Sequence, residues 1–239
     1  MSFIEKEFNL TIRDIDRNTN LTPKGILHIF EDIGGMHSDM AGYGLKQVNE
    51  TRISWILLHW KIKILKPVKY GESIKVKTWS RGIKLACCFR DYEIYNSNNE
   101  LCVVGTSKWT LYHLDKGLIR LTSDIVDKYS PEEKISLDFN FKKIKEPESY
   151  LSETKYTVLR SDIDINNHMH NTRYLDLAYE TLPKNVYDNN DFKDIEIMYK
   201  KECYLGDKLI CKYSKINNEH IVCIKSLDEK TLHAIVMLS

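Results

Sequence analysis

The chain of 239 residues lacks several features that mark whole classes of protein. Its first residues show no basic stretch followed by an apolar run, so a secretory signal is not expected. No apolar stretch reaches the roughly 20 residues that a membrane-spanning helix needs, because the longest, residues 53–65, is interrupted by His59, Lys61 and Lys63. The net charge of only +1 gives no overall field that would favour nucleic acid. We therefore expect a cytoplasmic protein without nucleic-acid partners or membrane insertion.

Metal-ligand spacing is also missing, since no two cysteines form a Cys-x-x-Cys pair. The cysteines lie inside strand-like segments, which favours reduced and mostly buried thiols over a zinc site. We expect neither a metal nor another cofactor. The six cysteines are Cys87, Cys88, Cys102, Cys203, Cys211 and Cys223.

What the sequence does contain is an internal repeat, which is a sign of a duplicated structural unit. Residues 13–21 near the start match residues 161–169 in the second half. The alignment pairs Asp14 with Asp162, Asp16 with Asp164, Asn18 with Asn166, and Asn20 with His168.

A helix is predicted after each copy of the repeat. In the first half Thr22 is the expected cap and Pro23 the first helical residue; in the second half Asn171 is the expected cap and Pro183 marks the end. Apolar residues recur at helical spacing in both segments. In the first they are Ile26, Ile29, Phe30, Ile33 and Met36, and in the second Tyr174, Leu177, Ala178 and Leu182, with Thr181 in the same series.

Several strand-like runs follow each helix, with turn signals between them. Such a helix buries its apolar face most economically against its own sheet. The predicted class is therefore α+β, a tandem double hotdog in which each half is one long helix wrapped by an antiparallel sheet. We expect an N-terminal hotdog domain over residues 1–128, a linker over 129–150 within a charged crossover that begins near 115, and a C-terminal hotdog domain over 151–239. The predicted strands are residues 53–65, 73–81, 86–95 and 101–114, then 195–204, 208–215, 220–227 and 231–238.

The second half also carries two motifs that resemble the acyl-acyl-carrier-protein thioesterases of plants and bacteria. One is an Asp-x-Asn-x-His run, and the other resembles that family's Tyr-basic-basic-Glu-Cys run. The first half is similar too, so the resemblance covers nearly the whole chain. The residues that carry it are Asp162-Ile163-Asp164-Ile165-Asn166-Asn167-His168 with Asn171 and Tyr174, Tyr199-Lys200-Lys201-Glu202-Cys203, Trp55 with residues 53–63, and residues 68–72 and 106–109.

Carried over position by position, the resemblance assigns the family's site to five residues of this chain. The catalytic aspartate, asparagine, histidine and glutamate fall on Asp164, Asn166, His168 and Glu202, and a cysteine considered as a nucleophile falls on Cys203. One position departs from the family, because His170 stands where it usually has asparagine. The plant members' organelle-targeting extension is not seen, which favours a bacterial-type protein.

The implied activity is hydrolysis of fatty acyl thioesters on acyl carrier protein, in fatty acid biosynthesis. The thiol leaving group has a pKa near roughly 8.5 and needs little acid assistance. The site must therefore activate water and stabilise an oxyanion. His168 is the natural base because its pKa lies near working pH. Asp164 or Glu202 is expected to orient its ring, Asn166 to polarise the carbonyl or place the water, and amides at the helix start to receive the oxyanion.

Two other interpretations of the motif residues stay open at this point. Asp164 and Asn166 before a helix are also what plain capping chemistry requires, and the first copy of the repeat, with Asn20 in place of the histidine, has no evident base. Strand alternation puts Cys203 in phase with the apolar row Ile195, Ile197 and Tyr199, and Glu202 on the other face. This phase favours a catalytic Glu202 and a structural Cys203 over a nucleophilic cysteine.

The partners implied by the resemblance are acyl carrier protein and a fatty acyl chain, and the state of assembly, including a homodimer, is left open. Lysines in either half, or Arg173 with its neighbours, are candidates for docking an acidic carrier. We expect the first half to enclose the acyl chain. Three alternatives to the carrier-protein activity remain: an acyl-coenzyme A thioesterase, a hotdog hydratase or dehydratase, and a non-catalytic acyl-binding sensor. The candidate docking residues are Lys61, Lys63, Lys66 and Lys69, or Lys200, Lys201 and Arg173.

Overall fold

The computed structural model describes residues 2–84, 87–137 and 144–239. The chain forms two compact units, residues 1–140 and residues 141–239. Each contains antiparallel strands and one main helix, which confirms the predicted α+β class. In the described part of the chain, no helix is both long enough and apolar enough to cross a membrane.

The first unit is built on an antiparallel sheet in the order β1-β3-β4-β5-β2, with a short β6 paired to β5. The four strands predicted for this half are confirmed, with ends that differ by at most three residues. The bounds are β1 Phe3–Asn9, β2 Ile53–Ile64, β3 Ser73–Lys84, β4 Cys87–Tyr95, β5 Leu101–His113 and β6 Gly117–Ile119.

The main helix of this unit, α1, runs from Pro23 to Ala41 and begins as the sequence predicts. The Thr22 hydroxyl accepts a hydrogen bond from the amide of Gly25 at 3.0 Å, which satisfies one of the free donors of the first turn. The buried helix face is the predicted one except at Met36, which is exposed. The helix then packs on the sheet through Phe30, which stacks against Trp60 and Tyr92 with ring centroids 5.9 and 4.4 Å away.

The segment predicted as a crossover from residue 115 is more structured than a linker. Besides β6 it contains α3, Ser123–Val126, and its apolar side chains Leu121, Ile125 and Val126 belong to a core cluster with Cys88 and Leu111. The charge pattern missed this packing because the few apolar residues are dispersed among charged ones. A further short α-helix of this unit is α2, Val48–Thr51.

The second unit repeats the scheme with a sheet in the order β8-β11-β10-β9-β7. Its main helix, α4, buries Leu175 and Ala178 completely and ends two residues before Pro183, as predicted. A short helix α5 follows. The bounds are β7 Ser152–Thr157, α4 Arg173–Thr181, α5 Lys184–Asn189, β8 Asp194–Tyr199, β9 Lys208–Ile216, β10 Glu219–Ser226 and β11 Leu232–Leu238.

One predicted strand of this unit is too long. The run 195–204 ends as strand β8 at Tyr199. There the amides of Lys200 and Lys201 both donate to the carbonyl of His233, at 2.8 and 3.3 Å, so two residues face one partner and the ladder stops. Strand alternation therefore does not extend to the Glu-Cys pair. All six cysteines are free, and five of them are buried, as expected.

Candidate functional site

The second copy of the repeat forms a tight loop between the sheet and α4. Ile163 pairs with Met169 as an isolated bridge, and the amide of Asp164 donates to the carbonyl of His168 at 2.8 Å. Asn167, at the tip, has a φ of 62°, a left-handed conformation that asparagine tolerates better than most residues. The loop therefore holds Asn166 and His168 in a fixed backbone frame.

The carboxylate of Asp164 is the centre of that frame. It accepts the backbone N–H of Asn166 at 2.8 Å and that of His168 at 3.3 Å, and the Asn166 side-chain amide lies 3.4 Å from its second oxygen. A short polar side chain that binds amides two and four residues onward is a loop-building device. In this structure, Asp164 holds the backbone on which the histidine is carried.

The first unit contains the same loop without a histidine. Asp16 accepts the amides of Asn18 and Asn20 at 2.8 and 2.9 Å, and Thr19 at the tip has a φ of 63°. The residue types and hydrogen bonds correspond, so the loop-building role of the aspartate does not depend on an imidazole. The two loops differ in chemistry where Asn20 stands in place of His168.

A turn that follows β8 is hydrogen-bonded to the second loop. The amide of Met169 donates to the carbonyl of Cys203 at 2.8 Å, and the turn itself is closed by the Tyr204 amide, which donates to the Asp207 carboxylate at 2.8 Å. Gly206 supplies the left-handed residue of this turn, with φ 86°. The two sequence motifs of this half, far apart along the chain, therefore meet at Cys203.

The first unit holds its loop against a turn in the same way. Leu21 donates its amide to the carbonyl of Val68 at 2.7 Å, and the Lys69 amide donates to the Glu72 carboxylate at 3.0 Å. Gly71 has a φ of 89°. Val68 and Lys69 thus occupy the places of Cys203 and Tyr204, and the residue before them is a proline where the second unit has Glu202.

The imidazole of His168 is half-buried and its ring centroid lies 5.0 Å from that of Tyr204, at an interplanar angle of 88°. Asn166 and Glu202 are exposed. Within the described residues, no hydrogen bond or ion pair joins the His168 ring to Asp164 or Glu202. Catalytic hydrogen bonds are often long in the absence of substrate and tighten only when it binds. The side chains of Asn166 and Glu202 face solvent, so water can reach both of them.

Cys203 has the opposite surroundings. Its side chain is fully buried, and burial raises the pKa of the thiol to about 12, although a hydrogen bond with Tyr174 acts in the other direction. A cysteine nucleophile reacts as the thiolate, which such an environment disfavours. The orientation of Cys203 and Glu202 is the one expected from the sequence, yet it arises from a loop beyond β8 and not from strand alternation.

The start of α4 differs from the prediction. Thr172, not Asn171, is at the N-cap position, and its side chain makes no capping hydrogen bond. The Thr172 amide donates to Nδ1 of His170 at 3.3 Å, and the Arg173 amide to the His170 carbonyl at 2.9 Å. Both amides are therefore hydrogen-bonded to His170, the residue at which the family usually has asparagine, and they are not free to bind an oxyanion.

An ion pair between Asp162 and Arg173, which the sequence did not reveal, joins the start of this loop to α4. Asp162 is buried and accepts hydrogen bonds from Arg173 Nε at 2.9 Å, the Tyr156 hydroxyl at 2.7 Å and the Leu159 amide at 2.8 Å. Burial raises the pKa of this carboxyl, but these partners outweigh it, and the pKa lies below its usual range. Arg173 also pairs with Asp176. The partners of Asp162 are up to 11 residues away, so no local pattern marks them.

Metal-ligating side chains are not clustered at this site or elsewhere in the described ranges. No group of three or more histidine, cysteine, aspartate or glutamate side chains is placed there so that it could hold a metal ion.

Comparison with known proteins gives matches along both units. Family models described as the acyl-ACP thioesterase N-terminal domain and the acyl-ACP thioesterase C-terminal domain match residues 2–129 and 144–235. A chloroplastic oleoyl-acyl carrier protein thioesterase 1 from Arabidopsis thaliana is 23% identical over 226 residues. That match covers 87% of this chain but 62% of the relative, so the chain spans less than two thirds of that protein's length.

Solved structures resemble the chain over its whole length. An acyl-ACP thioesterase from Bacteroides thetaiotaomicron superimposes with a TM-score of 0.88 at 20% identity, covering 99% of this chain and 96% of the other. A 12:0-ACP thioesterase from Umbellularia californica gives a TM-score of 0.86 at 12% identity, with coverage of 99% and 96%. At these identities the superpositions establish the similarity of fold.

Proposed function

The chain belongs to the acyl-ACP thioesterase family, and from this membership we propose that it hydrolyses fatty acyl thioesters carried by acyl carrier protein. The products are a free fatty acid and the holo-carrier, and the proposal includes a role in fatty acid biosynthesis in the cytoplasm. One observation supports the site most strongly. The same loop is built in both units, and only the second carries an imidazole, that of His168, half-open to solvent.

In the proposed reaction, His168 is the general base. It takes a proton from a water whose oxygen attacks the thioester carbonyl carbon, and a tetrahedral oxyanion forms. The carbon–sulfur bond then breaks, and the thiolate leaves and recovers the proton from the imidazolium. Because thiols have pKa values near roughly 8.5, the departure is easy, and the catalytic demand is on the first step.

The exposed polar side chains of the two motifs have separate tasks in this proposal. Asn166 donates its side-chain amide to the carbonyl oxygen as negative charge develops there. Glu202 stabilises the imidazolium or orients the attacking water. Asp164 acts through the backbone, since its carboxylate binds the amides of Asn166 and His168. Cys203 has a packing role, which its complete burial and raised thiol pKa support.

The domain roles and the carrier surface are part of the same proposal. The first unit, which has the loop without a base, encloses the acyl chain and the second performs the chemistry. Lys200 and Lys201 are next to Glu202 in sequence and both are exposed, and together they form a local basic surface for an acidic carrier. Two other candidates are less suited, because Arg173 is engaged by Asp162 and Lys66 by Glu100 at 2.6 Å.

Matched hydrolysis assays test the proposal. The same acyl chain is offered on carrier protein and on coenzyme A, and the released thiol is trapped with a dye, over a series of chain lengths. We expect faster hydrolysis of the carrier-bound chain, a decline with added salt as charged docking is screened, and a loss of about 10²–10⁴ in kcat for His168→Ala.

Each competing function gives a different result in these assays. Preference for the coenzyme A thioester, with no effect of salt, indicates an acyl-coenzyme A thioesterase. A changed acyl chain without thiol release indicates a hydratase or dehydratase, and binding without turnover indicates a sensor. Full hydrolysis by a folded His168→Ala variant contradicts the proposed role of the imidazole.

A further inference from the structure

We propose that Tyr204 is a positioning residue that sets the orientation of the His168 ring, an inference that rests on the proposed function of His168. The two rings are perpendicular, with centroids 5.0 Å apart. An edge-to-face pair at this distance is a preferred aromatic geometry. A general base must keep one ring nitrogen directed at the attacking water. Contact with a neighbouring ring restricts rotation of the imidazole and so keeps that nitrogen in one direction.

The backbone on both sides of this ring pair is fixed. The Met169 amide, next to His168, donates to the carbonyl of Cys203, next to Tyr204, at 2.8 Å. Tyr204 is itself held at both backbone groups by Asp207, whose carboxylate accepts its amide at 2.8 Å and whose amide donates to its carbonyl at 3.0 Å. The separation of the two rings therefore follows from hydrogen bonds that do not involve the rings.

The first unit shows what the loop and turn look like without this pair. Its turn has the same closing hydrogen bond, from the Lys69 amide to Glu72, and its loop has the same anchor to the Val68 carbonyl. Lys69 stands in place of Tyr204 and Asn20 in place of His168. An aromatic ring is thus not needed to build the turn, and it occurs in the unit that carries the imidazole.

The surroundings of Tyr204 separate positioning from core packing. The residue is 49% exposed, so its ring contributes little to a buried core. Among the described residues its hydroxyl makes no hydrogen bond, and its polar contacts are made by its backbone amide and carbonyl. The aromatic ring of Tyr204, and not its hydroxyl, therefore carries the positioning role, and phenylalanine at this position should preserve that role.

Three variants test this role in the full chain. For Tyr204→Ala we expect kcat to fall roughly tenfold to a hundredfold with KM changed less than about twofold, since the loss is in alignment of the base. Tyr204→Phe should keep kcat within about twofold of the wild type. The matched control is Leu205→Ala, a similarly exposed neighbour in the same turn, which should leave both constants unchanged. Unchanged kcat in Tyr204→Ala, or a loss confined to KM, overturns the inference.

A measurement that needs no turnover separates this inference from the proposed function. With histidines selectively labelled, nuclear Overhauser contacts between the His168 and Tyr204 rings should appear in the wild type, and equivalent contacts to the phenyl ring should appear in Tyr204→Phe. In Tyr204→Ala the His168 ring should show averaged side-chain couplings. Absence of the contacts, or an equally ordered ring in Tyr204→Ala, overturns the positioning role even in an active enzyme. Ordered contacts in a wild-type chain that hydrolyses no thioester refute the function while leaving the ring pair in place.

Discussion

At the scale of single residues, the clearest contrast is between Asp164 and His168. The aspartate repeats the amide contacts that Asp16 makes in the first unit, so its geometry follows from loop construction. The histidine has no counterpart in that unit. The two corresponding loops thus separate the residues that build the loop from His168, the residue to which we assign the reactivity, and the linear motif alone does not make this separation.

Cys203 provides the first prediction at this scale. In Cys203→Ala we expect kcat to stay within about threefold of the wild type, because burial raises the pKa of the thiol to about 12 and so disfavours the thiolate that a nucleophilic role requires. The unfolding free energy should fall by about 1–2 kcal/mol from the lost packing. Steady-state kinetics and denaturant unfolding measure the two effects. Cys211→Ala is the matched control, since burial also raises that thiol's pKa to about 12; a loss of turnover specific to position 203 contradicts the prediction.

At the scale of elements, the site depends on a loop and a turn that are far apart in sequence. The loop follows β7 in the chain and leads into α4, and the turn lies between β8 and β9. The sequence motifs predicted that both segments matter, but not that one backbone hydrogen bond, from Met169 to Cys203, joins them. Nor did the local pattern indicate the ion pair between Asp162 and Arg173, because its partners come from different elements.

That ion pair gives the prediction at this scale. Arg173→Ala should reduce the unfolding free energy by about 2 kcal/mol, because the buried Asp162 loses a charged hydrogen-bond partner. We also expect kcat to fall about tenfold as the loop carrying His168 loosens. Kinetics and urea unfolding test both effects, with the exposed Arg160→Ala as control. Equal behaviour of the two variants excludes the supporting role of Arg173.

At the scale of the whole molecule, the proposed division of tasks between the units has a direct test. Ile33 lies fully buried on α1 of the first unit. In Ile33→Val the extra space should shift the ratio of kcat/KM for long against short acyl chains several-fold toward long ones, with a stability loss of about 1 kcal/mol.

The matched control is Ile197→Val, at an equally buried position on β8 of the second unit. It should cost similar stability and leave the chain-length ratio unchanged. The comparison is made with the same carrier-bound chains, and Trp55→Phe provides a second variant in the first unit. If Ile33→Val and Trp55→Phe show the same chain-length profile as Ile197→Val, the result argues against an acyl chain in the first unit.

Acid stability is also a property of the whole fold, and His220 determines part of it. The buried ring lies with Nδ1 2.9 Å from the Tyr213 hydroxyl, and burial, aided by the positive charge of Lys215, lowers its pKa. A buried neutral histidine binds its proton more readily in the unfolded chain. This contribution to stability is therefore complete above the unfolded pKa of about 6.5 and declines as pH falls toward the folded-state pKa.

Thermal unfolding between about pH 7.5 and pH 5 tests that prediction, because this range spans the unfolded-state pKa of histidine. We expect the melting temperature to fall with pH less steeply in His220→Gln than in the wild type. Lys215→Gln should fall between them, because it removes the second cause of the lowered pKa. Parallel pH profiles for wild type and His220→Gln exclude a contribution from this ring.

The sequence by itself determined what depends on local order. The repeat, the Thr22 cap of α1 and the alternating strands follow from the spacing of neighbouring residues, so the α+β class and most strand bounds could be predicted. The residues of the candidate site could be named because they lie in two short motifs. Alignment of the two copies of the repeat also distinguished His168 from Asn20, because that difference in side chain can be seen without knowing the structure.

Only the tertiary structure decided which of these groups act on one another. It ended β8 at Tyr199, gave the helix-start amides to His170, buried Asp162 against Arg173 and set Tyr204 beside His168. Each of these features depends on hydrogen bonds or packing between segments that are separated along the chain. Such contacts produce no periodic pattern in the sequence from which they could be predicted. The direction of a side chain in a loop is fixed by such contacts, and no local alternation exists there from which it could be predicted.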